Sequence, residues 1–91
     1  MPGYTKDKKL IASRLRRIEG QVRGIQKMVD DDRYCIDVLT QVNATRAALE
    51  SVALQLLADH TEHCVTDAVR FGGGRRKILE LNQAVERLVR S

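Results

Sequence analysis

Proline is almost missing from this chain. Of 91 residues only Pro2 is one, so no interior position is barred from a helix on that account. Tryptophan is absent and aromatics are 3% of the residues, which leaves leucine, valine, isoleucine and alanine to build the core. Two cysteines are too few for a disulfide scaffold. No run of 18 apolar residues and no signal-peptide pattern occurs, so a soluble, cytoplasmic protein is expected. Repeats and low-complexity segments are lacking too, and residues 1–91 are expected to form a single domain. Enzyme chemistry lacks its parts. Ser13, Ser51 and Ser91 have no His–Asp partner pattern, and Gly72-Gly73-Gly74 follows no strand and lacks the Walker pattern. A thiol nucleophile at Cys35 or Cys64 would need an oxyanion site and a pocket, and nothing in the sequence suggests either. What remains is an all-α, non-enzymatic protein.

The chain is organised around Tyr34 to Val69, which reads as one long helix with a sulfur ligand near each end. Near its start is Cys35; near its end is His60-Thr-Glu-His-Cys64. Residues four apart on a helix stand one above the other, so His60 and Cys64 make a two-tooth chelate. His63 is turned about 100° from Cys64 by the helical period. Cys35 lies 25 positions before His60, roughly 37 Å along an unbroken helix at about 1.5 Å per residue. Cys35 therefore cannot join its own chain's pair. It can join another chain's pair if two copies run antiparallel and cross near Ala47, Ala48 and Leu49. The stripe Cys35, Leu39, Val42, Leu49, Ala53, Leu56, His60 repeats by threes and fours, as helix pairing requires. Two thiolates and one imidazole favour a soft ion. Structural zinc usually takes four protein ligands, so a three-ligand set fits trigonal Cu(I) better unless His63 is a fourth. Asp32 is expected to cap this helix, placing Cys35 in the first turn, where the helix dipole favours thiolate.

Ahead of it, Thr5 to Val29 carries Ile11, Leu15, Ile18, Val22, Ile25 and Val29 at alternating steps of four and three, a heptad seam. Residues 1–5 are expected to be a tail. Gly20 and Gly24 weaken the first helix and are read as allowing close approach to a neighbouring helix. Residues 6–29 hold eight lysines and arginines against two acids, a net +6, while the rest of the chain sums to −2. Arg14, Arg16 and Arg17 flank the seam. Repeated in an oligomer, this helix would present a positive surface to a phosphate backbone; alone, it reads equally as a solvated basic face. Asp30-Asp31-Asp32 reads as a tight turn and Gly72-Gly73-Gly74 as a second break. A third helix is expected from about Arg75 to Val89, with Ile78, Leu81, Val85 and Leu88 on one face.

Three blocks carry a resemblance: Arg14-Leu-Arg-Arg-Ile-Glu-Gly-Gln-Val-Arg-Gly-Ile25, Tyr34-Cys-Ile-Asp-Val-Leu-Thr-Gln41, and His60-x₃-Cys64. Together they resemble the copper-sensitive operon repressor family. The resemblance implies a three-helix protomer and a disc-shaped dimer of dimers. It implies binding to operator double-stranded DNA when empty and release when an effector binds. Cu(I) members have Cys, His and Cys at the positions of Cys35, His60 and Cys64. Nickel and cobalt members have His where Cys64 stands and use an N-terminal His; residue 3 here is Gly. Persulfide members lack the histidine. Formaldehyde members pair an N-terminal proline amine with the first cysteine and lack the second; Pro2 is present here, but so is Cys64. The family's Tyr and Glu that couple metal to DNA release match Tyr34 and Glu80, and its first-helix DNA-binding arginine matches Arg14. A second-helix arginine of some members is replaced by Ser51 here, with Arg46 nearby as a substitute. The implied function is a Cu(I)-responsive homotetrameric repressor. The alternatives are a formaldehyde- or thiol-reactive repressor using Pro2 and Cys35, and a copper buffer without a DNA role.

Overall fold

A computed structural model describes residues 3–90. All elements among the described residues are helical. A short 3₁₀ turn, Thr5–Asp7, leads into α1, Lys8–Asp30. Then come α2, Cys35–Asp59, a π-helical segment His60–Val65, α3, Thr66–Phe71, and α4, Gly74–Arg90. The expected second helix is therefore present as α2, the π segment and α3 in direct succession, and the third as α4.

The chain divides into two compact units, the first of residues 6–55. There α1 and most of α2 form a helical hairpin. Its buried apolar and polar positions are Ile11 and Ile18 on α1 and Thr45 and Val52 on α2. Each pair is seven apart, the repeat of the heptad seam. Thr45 is tolerated inside because its hydroxyl donates to the Gln41 carbonyl at 3.0 Å. Gln55 Nε2 donates to Asp7 Oδ2 at 3.2 Å, tying the start of α1 to α2. Asp7 occupies the N-cap position of α1 without capping it through its side chain.

The turn between the two helices corrects the capping expectation. Asp32 does not cap α2; it ends α1. Its φ of 55° lies in the left-handed region. The Asp32 N–H donates to the Val29 carbonyl at 3.1 Å and the Arg33 N–H to the Met28 carbonyl at 2.9 Å. That is the Schellman arrangement, which satisfies the last carbonyls of a helix and turns the chain. Aspartate is among the few non-glycine residues that adopt this backbone state readily. The first carbonyl of the next helix belongs to Tyr34, which accepts from the Val38 N–H at 3.2 Å. Cys35 is thus the first residue of α2, still within the first turn. Within the chain, nothing lies within 4 Å of a Cβ built at Gly20 or Gly24.

The second unit comprises residues 3–5 and 56–90. Its buried positions include Gly3, Asp59 and Val65. A Cβ on Gly3 would stand 2.6 Å from the Asp59 carbonyl oxygen, so only glycine permits this approach. The turn from α3 to α4 needs glycine at Gly72 (φ 120°) and Gly73 (φ 80°). α3 then packs against α4.

Candidate metal centre and nucleic-acid face

The His60-x₃-Cys64 pair falls on the π segment rather than on an α-helix. Its signature is the Thr66 N–H donating back five residues to the Thr61 carbonyl, seconded by the Thr66 hydroxyl at 3.1 Å. A turn with i→i+5 bonding is wider than an α-turn. Residues 60 and 64 are then just under one turn apart instead of just over, and still share a side of the helix. Both are half-buried. Turns of this kind occur mostly as single insertions in α-helices and frequently at functional sites.

Both cysteines are free thiols, Cys35 exposed and Cys64 partly covered. Cys35 belongs to the first unit and His60 and Cys64 to the second. Around Cys35 the surface forms a shallow groove lined by Val29, Asp32, Arg33, Val38 and Leu39. His63 has acidic neighbours. It joins Asp59 and Glu62, with one possible ligand atom of each within 4.8 Å of the others. His63 Nε2 is 4.0 Å from the Glu62 carboxylate. Neither Asp59 nor Glu62 was singled out from the sequence, although their spacing to His63 was legible there.

Of the two residues matched to metal–DNA coupling, Tyr34 is 69% exposed beside Cys35. Glu80 is exposed on α4, where its carboxylate meets the Lys77 ammonium at 3.5 Å. A concave surface of about 920 Å³ runs past Glu80, lined by Ala68, Gly72, Arg75, Arg76 and Gln83 among others.

On α1, Arg14, Arg16 and Arg17 are all exposed and have no ion pair among the described residues. Arg23 pairs with Glu19 at 3.6 Å. Arg46 on α2 pairs with Glu50 at 3.6 Å on an exposed face. Such a pair contributes only about 0.3–0.5 kcal/mol and leaves Arg46 available to another anion. Pro2 lies outside the described residues.

No described helix is long and apolar enough to cross a membrane. Much of the apolar surface is nevertheless uncovered. Leu39, Val42 and Leu49, along the stripe read from the sequence, are 59%, 44% and 47% exposed.

Comparison with known proteins gives a consistent picture. The copper-sensing transcriptional repressor RicR of Mycobacterium tuberculosis is 57% identical over 91 residues, covering 98% of this chain and 95% of its own. The copper-sensing transcriptional repressor CsoR of Bacillus subtilis is 52% identical over 87 residues, covering 96% and 86%. Among solved structures, the copper-sensing repressor CsoR with Cu(I) from Geobacillus thermodenitrificans superposes with a TM-score of 0.89 at 49% identity, covering 92% of this chain and 88% of that one. The nickel-responsive transcriptional regulator InrS superposes with a TM-score of 0.76 at 42% identity, covering 87% and 89%. Residues 7–87 match the family described as metal-sensitive transcriptional repressor. The chain belongs to that family of non-enzymatic, metal-sensitive transcriptional repressors.

Proposed function

We propose that this protein is a Cu(I)-responsive repressor that holds operator double-stranded DNA when metal-free and releases it on binding Cu(I). The observation that carries the reading is the donor set: two free thiols, Cys35 and Cys64, with the imidazole of His60. Two sulfurs and one nitrogen are soft and few, which suits Cu(I) above the divalent ions that prefer oxygen, nitrogen or a fourth ligand. Cys64 stands where the resemblance puts histidine in nickel sensors. His63, grouped with Asp59 and Glu62, leaves the set at three.

Cys35 of one protomer and His60 with Cys64 of another would hold the ion in an antiparallel pair, two pairs forming a homotetramer. The exposure of Leu39, Val42 and Leu49 supports this, since an apolar stripe of that length is left for another copy to cover. The whole chain acts as one sensing and DNA-binding domain in the cytoplasm.

Arg14, Arg16 and Arg17 of α1 supply the cations for DNA phosphates, with Arg46 joining from α2. Bound Cu(I) supplies a cross-link between two chains and favours the arrangement with weaker DNA affinity. Linkage makes the coupling reciprocal. A hundredfold loss of DNA affinity on metal binding corresponds to about 2.7 kcal/mol. Tyr34 beside Cys35, and Glu80, now paired with Lys77, are the residues that pass this change on.

The test is fluorescence anisotropy of a promoter fragment with reduced protein, titrated anaerobically and separately with Cu(I), Zn(II), Ni(II) and formaldehyde at one fixed salt concentration. Release by Cu(I) alone, at about one equivalent per chain, is expected. Release by formaldehyde but not copper would move the chemistry to Pro2 and Cys35. A protein with no salt-dependent DNA binding at all would be a copper buffer.

A further inference from the structure

Asp59, Glu62 and His63 occupy positions i, i+3 and i+4 where α2 passes into the π segment. That spacing places three side chains on one side of a helix. One ligand atom from each lies within 4.8 Å of the other two, close enough for small side-chain rotations to bring all three onto one ion. The donors are two carboxylate oxygens and one imidazole nitrogen. This set is harder than Cys35, His60 and Cys64, and it suits a divalent transition-metal ion better than Cu(I).

Burial strengthens the case. Asp59 is 4% exposed, while Glu62 is exposed. One donor is therefore fixed inside the fold and another is reachable from solvent. The position of Asp59 is further fixed by Gly3, seated against its carbonyl.

We propose that Asp59, Glu62 and His63 form a second metal site, for Zn²⁺, separate from the soft donors on the same turn. The assignment goes beyond the Cu(I) reading and does not depend on it. It implies that a divalent ion and Cu(I) are carried at once, each by donors of its own kind.

Co²⁺ serves as the visible probe for Zn²⁺. Full-length reduced protein is first loaded with one equivalent of Cu(I) per chain, then titrated anaerobically with Co²⁺. One further equivalent is expected to bind, giving weak visible d–d bands without the intense near-ultraviolet sulfur-to-cobalt charge-transfer band. Added Zn²⁺ should bleach them. Losing an outer partner of a metal site typically costs 10–100-fold in affinity, so losing a direct ligand should cost at least about tenfold. His63→Ala and Glu62→Gln should each weaken Co²⁺ binding by that much and leave Cu(I) uptake unchanged. Glu62 is exposed, so its substitution leaves the fold intact, which circular dichroism checks. The same titration of copper-free Cys64→Ala keeps the result independent of the copper site; it too should take up Co²⁺ with weak bands only. The proposal is overturned by no Co²⁺ uptake in Cys64→Ala, by unchanged Co²⁺ affinity in both His63→Ala and Glu62→Gln, or by a charge-transfer band in the Cu(I)-loaded protein.

Discussion

At the scale of single residues, backbone states and donor atoms decide different things. Gly72 sits at φ 120° and ψ 154°, a region closed to residues with a Cβ. Gly72→Ala is expected to destabilise the protein by about 1–3 kcal/mol, read as a lowered midpoint in urea with unchanged slope. Asp32 presents the opposite case, since glycine does better than aspartate at the left-handed end of a helix. Asp32→Gly should raise stability by roughly 0.5–1 kcal/mol, and a fall would mean that its carboxylate has a role beyond the turn. Cys35 contributes chemistry and little packing, being exposed. Cys35→Ala should leave DNA affinity intact and abolish release by Cu(I) in the anisotropy experiment; a variant still released by copper would put the site elsewhere. The thiols and His60 stand out in the sequence because they are chemically distinct and two of them are four apart, and the arginines of α1 because the charge is so uneven along the chain. Asp59 and Glu62 stand out less. Acids near a helix end are common, and only the burial of Asp59 and its closeness to His63 separate this pair from solvated charge.

At the scale of elements, periodicity located the helices but not their local departures. The heptad seam of α1 appears in the buried pair Ile11 and Ile18. The long apolar stretch after Tyr34 appears as α2 and its continuation through α3. The π segment could not be read, because one extra residue per turn leaves the apolar pattern of six residues almost unchanged. The role of Asp32 was misassigned for a related reason. An acid between two helices serves equally as the N-cap of the second or the end of the first, and φ decides between them. Gly20 and Gly24 show what a single element can still reveal. They lie on the face of α1 away from the seam, and a Cβ at either meets nothing within 4 Å in the chain. Replacing an exposed mid-helix glycine by alanine typically adds about 1 kcal/mol. Gly20→Ala is expected to raise the thermal midpoint accordingly. A lowered midpoint would place another subunit against this face of α1.

At the scale of the whole molecule, the protomer buries few large apolar side chains, and exposed ones are spread over α1, α2 and α4. A chain of 91 residues is marginal as a monomer, so association and stability should rise or fall together. Leu49, near the midpoint between Cys35 and the His60–Cys64 pair, is 47% exposed within the chain. In an antiparallel pair it lies at the crossing, where a buried unpaired charge is strongly destabilising. Leu49→Glu should therefore shift sedimentation towards the monomer and lower Cu(I) affinity with it, because the donor set would be split between separated chains. Complementation examines the proposed shared site more directly. Cys35→Ala and Cys64→Ala each break both sites of a homodimer. A mixed pair restores one: the Cys64→Ala chain donates Cys35, and the Cys35→Ala chain donates His60 and Cys64. The other site of that pair lacks both sulfurs. Unfolding and refolding an equimolar mixture should make half of the dimers mixed, and each has one intact site in two. Tight Cu(I) binding should therefore return at about one quarter of the sites. Neither variant alone should recover any of it. Tight binding by either variant alone would show that a single chain suffices, and the antiparallel arrangement would then be wrong.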